Sequence, residues 1–165
     1  MFFSHQKITK NFILDNHIII INKMSLQNSL RHATVASLLF AVVSLPQIYN
    51  KSNELLFQSG NCPNYKSKLM HFVVFLCLAV LIIKYVMNLQ KKFSDIIGYV
   101  LYASLLYYFI SSQELYQLTD SIFGSIVKIS NGNCPTMSGI ALHTIVYMLC
   151  LASWQLYFPS ENIFA

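Results

Sequence analysis

The chain has 165 residues, 55% of them hydrophobic and only 10% charged, with a formal net charge of +5. A soluble domain carries roughly 25% charged residues, so this one has too few to cover a water-facing surface of ordinary size. With a mean hydropathy of +0.52, the balance weighs against a soluble enzyme. The positive charge, without a basic helix interleaved with aromatics, points to membrane topology and anionic headgroups and to no nucleic-acid partner.

Residues 1–32 open the chain as a tail. The run Phe12-Ile13-Leu14-Asp15-Asn16-His17-Ile18-Ile19-Ile20-Ile21 is apolar but broken by three polar residues. It is too short to cross a bilayer and lacks the small-residue cleavage site of a secretory signal. The expectation is a segment that does not span, with Met24 as a second candidate start beside Met1.

Four charge-poor segments follow: Ala33 to Tyr49, Leu69 to Met87, Ile96 to Ser111 and Met137 to Phe158. Crossing about 30 Å of hydrocarbon at about 1.5 Å per residue takes about 20 residues. The one charge inside them, Lys84, lies near the end of the second span, where its stem can reach the headgroups. Tyr49, Tyr85, Tyr107, Tyr108, Trp154, Tyr157 and Phe158 gather toward span ends, as an aromatic belt does. None of the four shows the polar stripe of a soluble-bundle helix.

The segments are two copies of one unit. Ala36-Ser37-Leu38-Leu39-Phe40 with Tyr49 returns as Ala103-Ser104-Leu105-Leu106-Tyr107 with Tyr116. Gly60-Asn61-Cys62-Pro63 returns as Gly132-Asn133-Cys134-Pro135, each followed by a histidine (His71, His143) and then by Leu-Cys-Leu-Ala. The offset widens from Ala36/Ala103 through Cys62/Cys134 to Leu76/Leu149, which reads as a longer loop in the second copy. Self-similarity of this kind fixes architecture. The predicted fold is all-α and integral to a membrane, with four transmembrane helices arranged as two tandem helix-loop-helix hairpins. Hairpin unit 1 covers 33–88, a basic connection 89–95, hairpin unit 2 96–158 and a C-terminal tail 159–165. Lys7, Lys10, Lys23, Arg31, Lys84, Lys91 and Lys92 outnumber Lys51, Lys66, Lys68 and Lys128 of the two intra-unit loops, which favours termini and central connection on the cytosolic side and the loops on the opposite side.

The shared residues define the candidate sites. Ser37, Ala41 and Ser44 lie on one helical face, and Ser104 and Ser111 repeat the serines; small residues let helices approach closely in lipid. Cys62 and Cys134 hold matching loop positions. In an oxidising compartment they can form one disulfide joining the units, and in a reducing one they are turn cysteines. Cys77 and Cys150 read as small apolar residues at helix contacts. His71 and His143 sit at one depth in the two units, and the favoured role is a neutral ring bonded to a serine or carbonyl of the neighbouring helix. A metal site wants three or four ligands, and only the two loop cysteines are plausible additions. With no carboxylate in a span and no nucleophile paired with a base, no catalytic residue, metal site or cofactor is expected.

Two resemblances add to this. Ser44-Leu45-Pro46-Gln47 resembles the Pro-Gln motif of PQ-loop transporters, which implies a hinge at Pro46 and an oligomeric transporter or channel as the alternative function. The second copy has Gln113-Glu114 there, and PQ-loop repeats have three helices where this unit is read as two. Ser111 to Asp120, Gly132-Asn133-Cys134-Pro135-Thr136, Gly139 and Leu142-His143-Thr144 resemble the small hairpin membrane proteins of nucleocytoplasmic large DNA viruses. That resemblance covers residues 98–158 best; Thr119-Asp120 and Thr136 are read as lacking counterparts in the first unit. It implies a structural or assembly component of a virion internal membrane or a host membrane, with the bilayer, other membrane or capsid proteins and further copies of itself as partners.

Overall fold

The computed structural model describes residues 26–27, 29–55, 62–87 and 93–157. The apolar stretch 12–21, the tail 159–165 and the lysines of the basic connection lie outside them. Six helices dominate: α1 (Ser29–Val43), α2 (Pro46–Leu55), α3 (Tyr65–Leu81, continued by a π-helical turn Ile82–Val86), α4 (Phe93–Ile110), α5 (Gln113–Phe123) and α6 (Met137–Tyr157). A two-stranded hairpin, β1 (Ser130–Asn131) and β2 (Cys134–Pro135), precedes α6. Among the described residues the fold is all-α apart from that turn.

The straight helices Tyr65–Val86 and Met137–Gln155 are long and apolar enough to cross a membrane. Two bent pairs pass the same test only if each counts as one span: α1 with α2, bent by 56°, and α4 with α5, bent by 55°. The repeat is therefore three helical segments, not two. The first expected span, Ala33 to Tyr49, runs across the break at Ser44-Leu45, and its last residues belong to α2. Pro46 opens α2, where its missing N–H costs nothing. The second unit bends equally without a proline: Ser111-Ser112 interrupts it, and the Ser112 side chain caps α5 by accepting from the Leu115 N–H at 3.2 Å. A bend of this size thus does not require a proline.

Burial repeats with the same phase as the sequence. Phe40, Val43, Ser44 and Tyr49 point inward, as do Tyr107, Ile110, Ser111 and Tyr116. In the third helix of each unit Ser67, His71, Phe75, Ala79 and Ile83 match Gly139, His143, Tyr147, Leu151 and Gln155. The Cys62/Cys134 offset of 72 therefore persists to the helix ends. The Leu-Cys-Leu-Ala pairing, one residue further on, is a similarity of letters that the helix faces do not share. Cys77 accordingly faces outward while Cys150 is half-buried, so the two are not equivalent contact residues.

Four rings close the centre in a cycle. Phe40 stacks on Tyr147 at 4.9 Å and Phe75 on Tyr107 at 4.5 Å, while Phe40–Tyr107 and Phe75–Tyr147 meet edge to face at 5.4 and 6.1 Å. Exchange of the two units maps each stacked pair onto the other, so the rings sit about a pseudo-twofold axis. Offset and edge-to-face pairs add roughly 0.5–1.5 kcal/mol each beyond area burial. Tyr49 and Tyr107 are consequently core residues and not members of an aromatic belt, whereas Tyr85 is exposed. Outward faces are apolar: only 22% and 33% of the apolar stretches of these two helices are buried.

The second loop is the tighter one. Gly132, at φ 61, makes the turn between β1 and β2, a left-handed conformation suited to glycine. Gly139 in the first turn of α6 lies so close to the Ile129 carbonyl that a methyl would collide with it, while nothing stands within 4 Å of a methyl at Gly98 in α4. Opposite signs are expected. Gly139→Ala should lose about 1–3 kcal/mol through forced backbone separation, and Gly98→Ala should gain up to about 1 kcal/mol in helix propensity. Thermal unfolding of the two variants in one detergent checks this, and equal shifts would contradict the close approach.

Candidate functional site

Among the described residues, a constellation of buried polar chemistry built around the histidines occurs twice. α1 and α4 end at Val43 and Ile110, and the last carbonyls of a helix have no intrahelical donor. His71 Nδ1 reaches the Val43 carbonyl at 3.0 Å and His143 Nδ1 the Ile110 carbonyl at 2.7 Å. A carbonyl only accepts, so both rings carry a proton on Nδ1. Nε2 of each then faces a hydroxyl: Ser52 Oγ at 2.8 Å and Thr119 Oγ1 at 3.2 Å. Each hydroxyl also lies within reach of a carbonyl of its own helix, Tyr49 O at 2.8 Å and Leu115 O at 2.7 Å. One hydroxyl proton therefore serves two acceptors in each unit.

A tyrosine one helical turn before each hydroxyl completes the arrangement. Tyr49 stacks flat on His71, and Tyr116 on His143, each with ring centroids 3.9 Å apart. The histidine thus caps a broken helix, tethers the short helix beyond the break and lies against that helix's aromatic ring. It holds the bend. Both ring nitrogens are engaged within their own unit, and among the described residues no three of His, Cys, Asp or Glu come together.

Between the two histidine centres the bends bring hydroxyls together. Tyr49 and Tyr107 hydroxyls are 3.3 Å apart, and the buried Ser44 and Ser111 side chains lie beside Tyr107. The other small-face serines turn onto their own helices: Ser37 donates to Thr34 O at 2.8 Å and Ser104 to Val100 O at 2.7 Å. Both are buried at helix contacts.

The loops are coupled across the units. Cys62 and Cys134 are joined in a disulfide with Cα atoms 4.9 Å apart. Asn53 donates to the Cys62 carbonyl at 3.2 Å, and the Gln113 amide donates to the Pro63 carbonyl. Asp120 holds the second loop, accepting from Ile129 N at 2.7 Å and Ser130 N at 3.2 Å and pairing with Lys128 at 2.6 Å. The Lys128 ammonium, with those two N–H groups, keeps its carboxyl below the usual carboxylate range.

These positions correct the reading that Thr119-Asp120 and Thr136 lack counterparts. Ser52-Asn53 stands where Thr119-Asp120 stands, each pair supplying a hydroxyl to the histidine and an amide or carboxylate to the loop. Asn64 caps α3 by accepting from Ser67 N at 2.9 Å, and Thr136 accepts from Gly139 N at 3.1 Å at the head of α6. Letter identity hides this, because serine and threonine, or asparagine and aspartate, do one hydrogen-bonding task with different atoms. A constant offset from Tyr49/Tyr116 would have found Ser52 and Thr119.

Comparison with protein families, with curated proteins and with solved structures finds no match. Fold and site by themselves define a helical protein of two equivalent units, each a bent helix pair and a straight helix, with two to four candidate membrane spans.

Proposed function

We propose that the protein is an integral, multi-pass membrane protein with a structural or assembly role, its rigid bundle presenting apolar faces to lipid and to neighbouring membrane or coat proteins. The observation that carries this reading is the closed cycle of Phe40, Phe75, Tyr107 and Tyr147. Four large side chains fill the axis between the units, which closes that axis as a path through a single copy. The disulfide and the two histidine-held bends add rigidity. Placement in a virion or host membrane rests on the sequence resemblance over residues 98–158. The rival reading, a small PQ-loop-like transporter or channel acting as an oligomer, draws on one observation: both units break a helix beside a buried histidine, and broken helices line binding sites in transporters.

The test has two arms. The full chain expressed in a eukaryotic membrane is expected to resist extraction by alkaline carbonate; release into the supernatant would end the membrane reading. Reconstituted in liposomes, it is expected to leave proton, sodium, potassium and sucrose permeability at the level of empty vesicles. Flux of any of these lost in His71→Asn or His143→Asn would favour the transporter.

A further inference from the structure

We infer that the outward edge of α5, with the turn that follows it, is a membrane-interface anchor that seats the second unit against the lipid headgroup and acyl boundary. This rests on the membrane reading above. Leu118, Ile122, Phe123, Ile126 and Val127 are between 45% and 81% exposed. They follow one another within ten residues of chain at the loop end of the bundle. The charged residues of α5 are Glu114, in its first turn, and Asp120, which bonds to the loop and to Lys128. No charge interrupts the apolar edge.

Lipid is the occupant because the edge begins one polar turn beyond the outward face of α4, which lipid covers on the membrane reading. The outward face of α4 carries Leu101, Leu105 and Phe109, all exposed, and Phe109 lies just before the break. Only Ser111-Ser112 separates α4 from α5, and one turn in which Glu114 and Gln117 are the exposed residues precedes the apolar edge that opens at Leu118. The bend of 55° turns α5 toward the membrane plane if α4 stands along the normal. Its 11 residues then run about 16 Å near the boundary at about 1.5 Å each, the placement of an interfacial amphipathic helix. In the first unit Lys51 and Glu54, exposed and paired at 3.4 Å, occupy the positions of Leu118 and Ser121. That helix presents charge where α5 presents leucine.

Single-tryptophan proteins in phosphatidylcholine vesicles test this. On a Trp154→Phe background, tryptophan is placed at Ile126, at Glu54 and at Leu149, an exposed position in the middle of α6, and quenching by lipids brominated on the acyl chain is measured. Ile126→Trp is expected to be quenched severalfold more than Glu54→Trp, most strongly by bromines near the headgroup; Leu149→Trp is expected to respond to deep bromines. Quenching at Leu149 with none above the Glu54 level at Ile126 overturns the anchor and leaves the membrane reading intact. If Ile126→Trp resists both brominated lipid and aqueous acrylamide, protein covers the edge and the anchor is wrong. Failure at Leu149 itself overturns the membrane reading. Ile122→Trp serves in place of Ile126→Trp if that variant does not fold.

Discussion

Replacing His143 by alanine is expected to lower the stability of the folded protein by about 3 kcal/mol, and His71→Ala by a similar amount. Each ring caps a helix end through Nδ1, meets a hydroxyl through Nε2 and stacks on a tyrosine. Truncation leaves the Ile110 or Val43 carbonyl buried without its donor, which costs about 1–3 kcal/mol. It also opens a space beside Tyr116 or Tyr49, for which about 2 kcal/mol is a moderate figure. Asparagine places an N–H near the position of Nδ1 and should recover part of the loss, whereas glutamine, reaching toward Nε2, should recover less. Denaturant titration of the six single variants in one detergent checks this order. Little loss in both alanine variants would mean that the bends are held by their packing and not by the histidines.

The second large effect is covalent. Cys62 and Cys134 close a loop with a sequence separation of 72, and removing such a link restores about 4 kcal/mol of chain entropy to the unfolded state. Cys62→Ser and Cys134→Ser should each show that loss, and the double variant should lose no more than either single one, because the bond is broken once. Treatment of the wild type with reductant should reproduce the shift, and the double variant should ignore reductant. Additive losses in the double variant would show that the two cysteines act separately. Cys77 and Cys150 provide the internal control, being free thiols in the same fold.

Much of the architecture is legible in the letters. The duplication, the equivalence of Cys62 with Cys134 and of His71 with His143, and the helical class all follow from spacing and hydropathy. Straight α3 and α6 fall close to their expected ranges, since long apolar runs leave few choices. The bends do not emerge in the same way. Pro46 marks one of them, yet the other occurs at two serines, where His143 and the Ser112 cap satisfy groups that the break exposes. The tyrosines mislead for a related reason: a residue near a span end suits the headgroup region or the core equally, and direction around the helix decides.

What the sequence determined alone is therefore the number of units and their class: two copies of an apolar helical unit, each with one loop cysteine and one histidine. Tertiary structure decided what those residues do. Periodicity reports how often an apolar residue recurs, but contact across helices depends on which faces meet and at what height. Only that geometry sets Phe40 against Tyr147 and Phe75 against Tyr107 about one axis. It also reveals Ser52 and Thr119 as partners of the histidines, a hydrogen-bonding equivalence that holds between different side chains.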